Sequence, residues 1–223
     1  MEISLQHSRL GKKIIEIDRL KKTFDKQNGT DAKVCINDFT YAVVRDDRIG
    51  IVGRNGAGKS TLLHLIAGDL EPDSGSVETG VTVKIGHYSQ EGRELDLNQR
   101  VYDFIHEIAE EVKTDEGTFS ANQMMERFLF PSELQSVPIG RLSGGERRRL
   151  YLLSVLMAAP NVLLLDEPTN DLDVMTLSIL EDYLQSFPGP ILTVSHDRFF
   201  LDKLSEHIFE VGEGQVRRYV GNW

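Results

Sequence analysis

Short apolar runs and amphipathic stretches take turns along most of the chain. Residues 13–18 (KIIEID) read as a strand, and 39–44 alternates Phe39, Tyr41 and Val43 with smaller residues as another. Residues 48–52 (RIGIV) are too short for a helix and predict a buried strand. Gly53 to Gly58 is a glycine-rich loop, followed by a helix over 59–67 with Gly68 at its end. Residues 69–76 (DLEPDSGS) carry turn chemistry, and 81–88 alternates again as a strand. From about 92 to 140 helical patterns take over. In 101–112, Val101, Ile105 and Ile108 share one face, and 120–130 is a second short helix stopped by Pro131. The αβ order then returns, with a helix at 144–158, an apolar strand at 162–165, a helix at 174–186, a strand at 190–195 and a helix at 198–204. The tail, 208–220, predicts a hairpin around Gly212 and Gly214. Strands buried on both faces and alternating with helices argue for a parallel sheet covered on two sides.

Totals narrow the class further. The 223 residues are 40% hydrophobic and 27% charged, which suits a folded globular chain and argues against disorder. Twenty-five Lys and Arg against 35 Asp and Glu leave a net charge of -10. Sequence-blind nucleic-acid binding by the whole surface is therefore disfavoured, though a local basic patch is not. The single cysteine, Cys35, excludes an internal disulfide framework and reads as structural. No apolar run is long enough to cross a bilayer, and the first twenty residues lack the apolar core of a signal peptide. These features predict a cytoplasmic chain without membrane insertion.

Gly53-Arg54-Asn55-Gly56-Ala57-Gly58-Lys59-Ser60 fits the phosphate-loop pattern G-x-x-x-x-G-K-[ST], with a strand before it and a helix after. Glycines let the backbone wrap an anion, and the helix start adds its positive end. Lys59 can reach the β and γ oxygens of a nucleotide, and the Ser60 hydroxyl suits Mg²⁺. A glycine turn without a ligand is the alternative, and the flanking elements weigh against it.

The run Val162–Leu165 then places Asp166 and Glu167 at the carboxyl end of a buried strand, where ligands sit in parallel sheets. Asp166 is placed to hold Mg²⁺ and Glu167 to polarise water, although an acidic cap at a strand end has the same appearance. His196 follows the strand ILTVS in the same way and can meet a γ-phosphate or the attacking water; a structural histidine is the alternative. Gln90 ends the 81–88 strand where the helical insert begins, so it can touch both the metal and the insert.

Leu142-Ser143-Gly144-Gly145-Glu146 precedes the helix at 144–158. Ser143 and Glu146 have the spacing of an ordinary capping box. Two glycines there also leave bare N–H groups at a positive helix end, a surface suited to a γ-phosphate. A chain with two phosphate cradles suggests a nucleotide held between two domains.

Together, these motifs resemble the ATP-binding cassette (ABC) family over nearly all of residues 14–220, in the family's order. The resemblance implies a P-loop α/β domain with a mixed or parallel core sheet, an antiparallel β-subdomain and a helical subdomain at about 92–158. It implies Mg²⁺-dependent ATP hydrolysis in a head-to-tail sandwich with a second ABC domain. In that arrangement Phe24 stacks on adenine, although core packing is its plainer reading. Residues 53–60 and Thr61 hold the phosphates. Leu142, Ser143, Gly144, Gly145, Glu146 and Asp173 reach the nucleotide of the partner domain. Gln90 joins Ser60 and Asp166 at the metal, and Glu167, His196 and Gln90 serve the chemistry.

The stretches 167–173 and 195–202, and the tail VRRYVGNW, further resemble the ABC-F branch, in particular the second ATPase domain of Uup-type proteins. That implies action on the ribosome in translation, with RNA as a partner and branched DNA as an alternative. ABC-F chains carry two such domains, so this sequence reads as a fragment, with residues 1–12 as the remnant of a linker. A transporter's ATPase subunit shares every motif and remains the main alternative. Arg147, Arg148 and Arg149 form a basic run that suits RNA, a solvated face or neighbouring acids, the last two being the simpler readings.

Overall fold

The computed structural model describes residues 14–24, 33–114, 117–170 and 172–221. The expected linker remnant 1–12, Asp171 and the last two residues of the tail lie outside them. In chain order, β1 (Ile15–Phe24), β2 (Lys33–Val43) and β3 (Arg48–Val52) lead into α1 (Lys59–Ala67). Then come β4 (Ser74–Thr79), β5 (Ile85–Tyr88), α2 (Val101–Ile108), β6 (Glu111–Thr114), β7 (Gly117–Ser120), α3 (Ala121–Arg127) and α4 (Ser132–Gln135). The second half holds α5 (Gly144–Met157), β8 (Val162–Asp166), α6 (Val174–Ser186), β9 (Ile191–Val194), α7 (Arg198–Leu204), β10 (His207–Gly212) and β11 (Gln215–Val220).

The main sheet has the order β11-β10-β3-β9-β8-β5. All its pairs are parallel except the β10–β11 hairpin. A separate antiparallel sheet, β2-β1-β4, lies across α1 from it. This is the mixed α/β architecture with an antiparallel part that the sequence predicts.

The period of two in β8 shows how the core is divided. Val162 and Leu164 point to the cluster holding Leu62, Leu63, Leu65 and Ile66 of α1 and Ile17, Leu20 and Ile36 of the antiparallel sheet. Leu163 and Leu165 point the other way, to Leu152, Leu153 and Leu156 of α5 and Leu180 of α6. The helix after the glycine loop is thus clamped between two sheets, and the carboxyl ends of β3, β8 and β9 open at one edge.

Four expectations need correction. The turn read at 69–76 runs straight into β4, whose Val77 pairs opposite Ile17. Strand propensity there is poor, and the neighbouring strand supplies the order. The strand read at 81–88 forms only from Ile85, after a turn that leaves Val81 exposed. The helix read over 101–112 ends at Ile108, because Ala109 turns extended and Glu111–Thr114 pairs with Gly117–Ser120. A β-hairpin therefore sits inside the region expected to be helical, and Val112 is buried from that strand. Finally, the helix at 120–130 stops at Arg127. Leu129 takes a left-handed φ of 60°, and Pro131 caps α4. The tail hairpin forms as expected, with Glu213 and Gly214 both left-handed (φ 54° and 76°) in the tight turn that suits twisted strands.

Candidate functional site

β3 delivers the chain to the glycine loop, and α1 carries it away. Gly53 (φ 150°) and Gly58 (φ 112°) adopt backbone that side chains rarely reach. A Cβ on Gly53 would lie 2.2 Å from the Val211 carbonyl oxygen, so β10 closes the back of the loop. Cys35 is buried beneath Gly58, the structural place expected for it. Lys59 is nearly buried and arches back over its own loop. Its Nζ donates to the carbonyls of Gly53 at 3.0 Å and Arg54 at 3.4 Å. Lys33, from β2, donates to the Gly56 carbonyl from the other side. Two cations thus brace the loop from both sides, and within it the Ala57 amide donates to the Arg54 carbonyl at 3.0 Å.

Opposite the loop, β8 ends in Asp166 and the chain turns sharply at Glu167, which has φ 50°. That strained turn aims the Glu167 carboxylate along the sheet edge. Its Oε2 accepts from the His196 amide at 3.3 Å, and its Oε1 lies 3.2 Å from the imidazole Nε2. The same Nε2 is 3.4 Å from Lys59 Nζ. Lysine, histidine and carboxylate form one chain of contacts between three strand ends. Asp166 is buried, and its Oδ1 has no hydrogen-bond partner. A buried carboxylate oxygen without a donor is a costly arrangement that a cation relieves. Ser60 and Gln90 share one cavity that Asp166 does not line; the Ser60 hydroxyl, the Gln90 amide oxygen and this carboxylate would give an all-oxygen donor set, the type that fits Mg²⁺.

Of the three cavities that touch the loop among the described residues, one of about 570 Å³ lies between it and the β10–β11 hairpin, and the other two adjoin each other at Gly56, Lys59 and Ser60. One, of about 340 Å³, is lined by Asn55, Gly56, Lys59, Ser60, Gln90, Glu167, Asn170 and His196. The other, of about 280 Å³, is lined by Phe24, Lys33, Cys35, Gly56, Gly58, Lys59, Ser60 and Thr61. Phe24 is 40% exposed, with Lys22 Nζ 5.6 Å from its ring centroid, so it stands at a cavity wall rather than in the core. Asn170, within the 167–173 stretch that carries the ABC-F resemblance, and Lys33 also line these cavities. Asn170 stands three residues beyond Glu167; Lys33 comes from another sheet and carries no local signal.

Leu142, Ser143, Gly144, Gly145 and Glu146 line neither cavity. They begin α5 with the expected reciprocal cap: Ser143 Oγ accepts from the Glu146 amide at 3.2 Å, and the Glu146 carboxylate accepts from the Ser143 amide at 2.7 Å. Those hydrogen bonds hold the Glu146 carboxyl below its ordinary range. Ser143, Gly144 and Gly145 are exposed. Asp173 caps α6, accepting from the Thr176 amide at 2.9 Å and hydroxyl at 2.7 Å. It also meets the nearly buried Arg149 at 3.1 Å. The Thr176 bonds hold its carboxyl below the usual range.

The arginine run is built into the fold. Arg149 meets an acid, as one of the simpler readings has it. Arg147 donates to the Leu142 carbonyl, and Arg148 to the carbonyls of Ser89 and Gln90. Tyr151 adds its hydroxyl, accepting from the Ser89 amide and donating to the His87 carbonyl. The helix behind the glycine pair therefore grips the end of β5 and the turn beyond it that holds Gln90, a link with no trace in the local sequence.

The family described as ABC transporter matches residues 36–170, more than half of the chain. YfmR of Bacillus subtilis (strain 168), an uncharacterized ABC transporter ATP-binding protein, is 47% identical over all of this chain and 35% of its own length. The energy-dependent translational throttle protein EttA of Escherichia coli (strain K12) is 38% identical over 96% of this chain and 38% of its own. The ATP-binding protein Uup of the same strain is 39% identical over 97% of this chain and 33% of its own. The chain thus spans about a third of the length of these relatives. Among solved structures, an ATP-binding subunit of an ABC transporter superposes with a TM-score of 0.76 at 18% identity, covering 93% of this chain and 90% of its own. The ATP-binding cassette MJ0796, in a dimeric post-hydrolysis state bound to ADP and Pi, gives 0.75 at 18% identity, covering 93% and 98%. These two establish the fold, and the family match leads to one conclusion: the chain belongs to the ABC transporter family, as an ATP-binding cassette ATPase domain.

Proposed function

We propose that residues 1–223 form one ABC cassette, with its helical subdomain at about 92–158, whose Mg²⁺-dependent ATP hydrolysis drives head-to-tail closure in an ABC-F protein acting in translation on the ribosome. The observation that carries the ATP chemistry is the single cavity holding Lys59, Ser60, Gln90, Glu167 and His196. The phosphates sit on the amides of residues 53–60 and Thr61, and Lys59 exchanges its own loop's carbonyls for phosphate oxygens. Phe24 meets the adenine ring. Ser60, Asp166 and Gln90 hold Mg²⁺, which supplies charge neutralisation on the phosphates. The Glu167 carboxylate takes a proton from water as its oxygen bonds to the γ-phosphorus, and ADP departs. His196 orients Glu167 and contacts the γ-phosphate.

Leu142 to Glu146 and Asp173 act on the nucleotide of a second cassette. Ser143, Gly144 and Gly145 are exposed yet line no phosphate cavity of their own chain, and a Cβ on Gly144 would touch nothing within 4 Å. A bare helix start of this kind has room for a phosphate brought by a partner. The translational role rests on the likeness to EttA, whose name states one, and on the 167–173 and 195–202 stretches. The same relatives, with the lone buried cysteine, favour the cytoplasm. Among the described residues no helix is long and apolar enough to cross a membrane.

The test is sedimentation of the tandem parent protein carrying Glu167→Gln with purified ribosomes. ATP-dependent co-sedimentation, absent with ADP, is expected. Ribosome-free protein in both states, with branched DNA bound instead or with recovery beside a membrane partner, would transfer the assignment to the DNA or the transporter reading.

A further inference from the structure

Behind the phosphate site, on the far end of α1, three side chains converge that the ATP chemistry leaves unused. His64 lies in the last turn of α1. Gly68 then turns left-handed (φ 80°), and the Asp69 amide bonds back to the His64 carbonyl at 2.9 Å, which folds Asp69 against the helix end. His87 comes from β5, held beneath α1 by its parallel pairing with β8. One ligand atom from each of His64, Asp69 and His87 lies within 4.8 Å of the other two. Asp69 Oδ2 is 2.6 Å from His87 Nδ1 and 3.5 Å from His64 Nδ1. The two imidazole centroids are 5.0 Å apart, edge to face.

We propose that His64, Asp69 and His87 form a binding site for a divalent first-row transition ion, Zn²⁺ above all, with water as the fourth ligand. Two nitrogens and one carboxylate oxygen are a donor set that zinc accepts in tetrahedral geometry. Bonds of about 2.0–2.1 Å place tetrahedral ligands about 3.3 Å apart, so the triad needs only small side-chain rotations to close on an ion. Imidazole also discriminates against Mg²⁺, which prefers oxygen, so this site does not compete for the nucleotide's metal.

His87 Nδ1 already faces Asp69 Oδ2 at 2.6 Å and its Nε2 is buried without a hydrogen-bond partner, so an ion at Nδ1 takes the place of that contact and leaves the ring proton on Nε2. An entry path exists because the Asp69 side chain is half exposed. The ion would staple the end of the phosphate-loop helix to the strand that leads, three residues after His87, to Gln90.

The experiment is a titration of the purified, metal-stripped 223-residue chain with Co²⁺, followed by its visible d–d absorption, and with Zn²⁺ by calorimetry. Excess Mg²⁺ is present throughout. One ion per chain is expected. His64→Ala and Asp69→Asn should each weaken binding by more than about 100-fold, beyond what loss of an outer partner costs. Both positions are partly exposed, so these variants should fold, which circular dichroism checks. His196→Ala, which removes the nitrogen donor of the nucleotide site, should bind as the parent does. Zn²⁺ should raise Tm in the parent and in His196→Ala but not in His64→Ala. Failure of the folded parent to bind, unchanged affinity in folded His64→Ala, or loss of binding in His196→Ala would each overturn the proposal. None of these outcomes bears on the ATPase reading.

Discussion

At Glu167 the backbone, the carboxylate and two neighbours decide one another. A left-handed φ on a non-glycine residue persists only where the surroundings hold it, and here the Val194 carbonyl takes its amide at 2.9 Å while His196 takes its side chain. Glu167→Gln keeps the shape and removes the proton acceptor. ATP turnover should fall by roughly 10²- to 10⁴-fold with ATP affinity retained, measured by phosphate release and a fluorescent nucleotide. Turnover at the parental rate would take Glu167 out of the chemistry. Lys59 stands in a different position, since its partners are carbonyls of its own loop and the imidazole. Lys59→Ala should lose ATP affinity itself.

Two helix starts hold the element-scale evidence. The reciprocal cap of α5 should contribute about 1 kcal/mol, so Ser143→Ala should lower unfolding stability by that amount at neutral pH. The Glu146 carboxyl sits below its ordinary pKa in the folded chain, so its contribution is complete above the unfolded value. It is lost as pH falls through the lower, folded value. The stability gap between the parent and Glu146→Gln should therefore close in acid, below the ordinary carboxylate range, as denaturant melts at stepped pH would show. At α6, Asp173→Ala removes the cap and strips nearly buried Arg149 of its acid. A loss of about 1–3 kcal/mol is expected, less than for a fully buried pair because the Asp173 side chain is half exposed. Arg148 joins α5 to the Ser89 and Gln90 carbonyls. Arg148→Ala should leave ATP affinity near the parental value and reduce turnover, because the turn carrying Gln90, just beyond β5, would no longer follow α5.

For the molecule as a whole, the question is what covers its exposed edge. Phe199 is 82% exposed and Val174 84%, each at a helix start beside the strand-end site. Exposed apolar side chains next to a half-built phosphate cradle suit a surface that closes on a second cassette. Glu167→Gln with ATP and Mg²⁺ should double its mass in size-exclusion chromatography with light scattering. Adding Ser143→Arg should return it to one copy. A mass that stays single in ATP would mean that closure requires the sister cassette of a longer chain.

The phosphate loop, the Asp166–Glu167 pair, His196 and the α5 cap were legible because each is local: a few consecutive residues carry both the chemistry and the turn that presents it. Strands buried on both faces were legible for a similar reason, since β3, β8 and β9 are short apolar runs whose composition leaves few alternatives. What could not be read was order imposed from a distance. Ser74–Thr79 is turn-like in sequence and becomes a strand because β1 offers it a ladder. Glu111–Thr114 continues a helical pattern and leaves it for a hairpin. Lys33 reaches the phosphate loop from another sheet, Arg148 finds two carbonyls near Gln90, and His87 meets His64 and Asp69 only because β5 pairs with β8. The sequence by itself determined the class of fold and named the candidate groups of the site, through short-range stereochemistry and hydrophobic period. Tertiary structure alone decided which distant groups brace them, because hydrogen bonds between elements depend on packing rather than on neighbours in the chain.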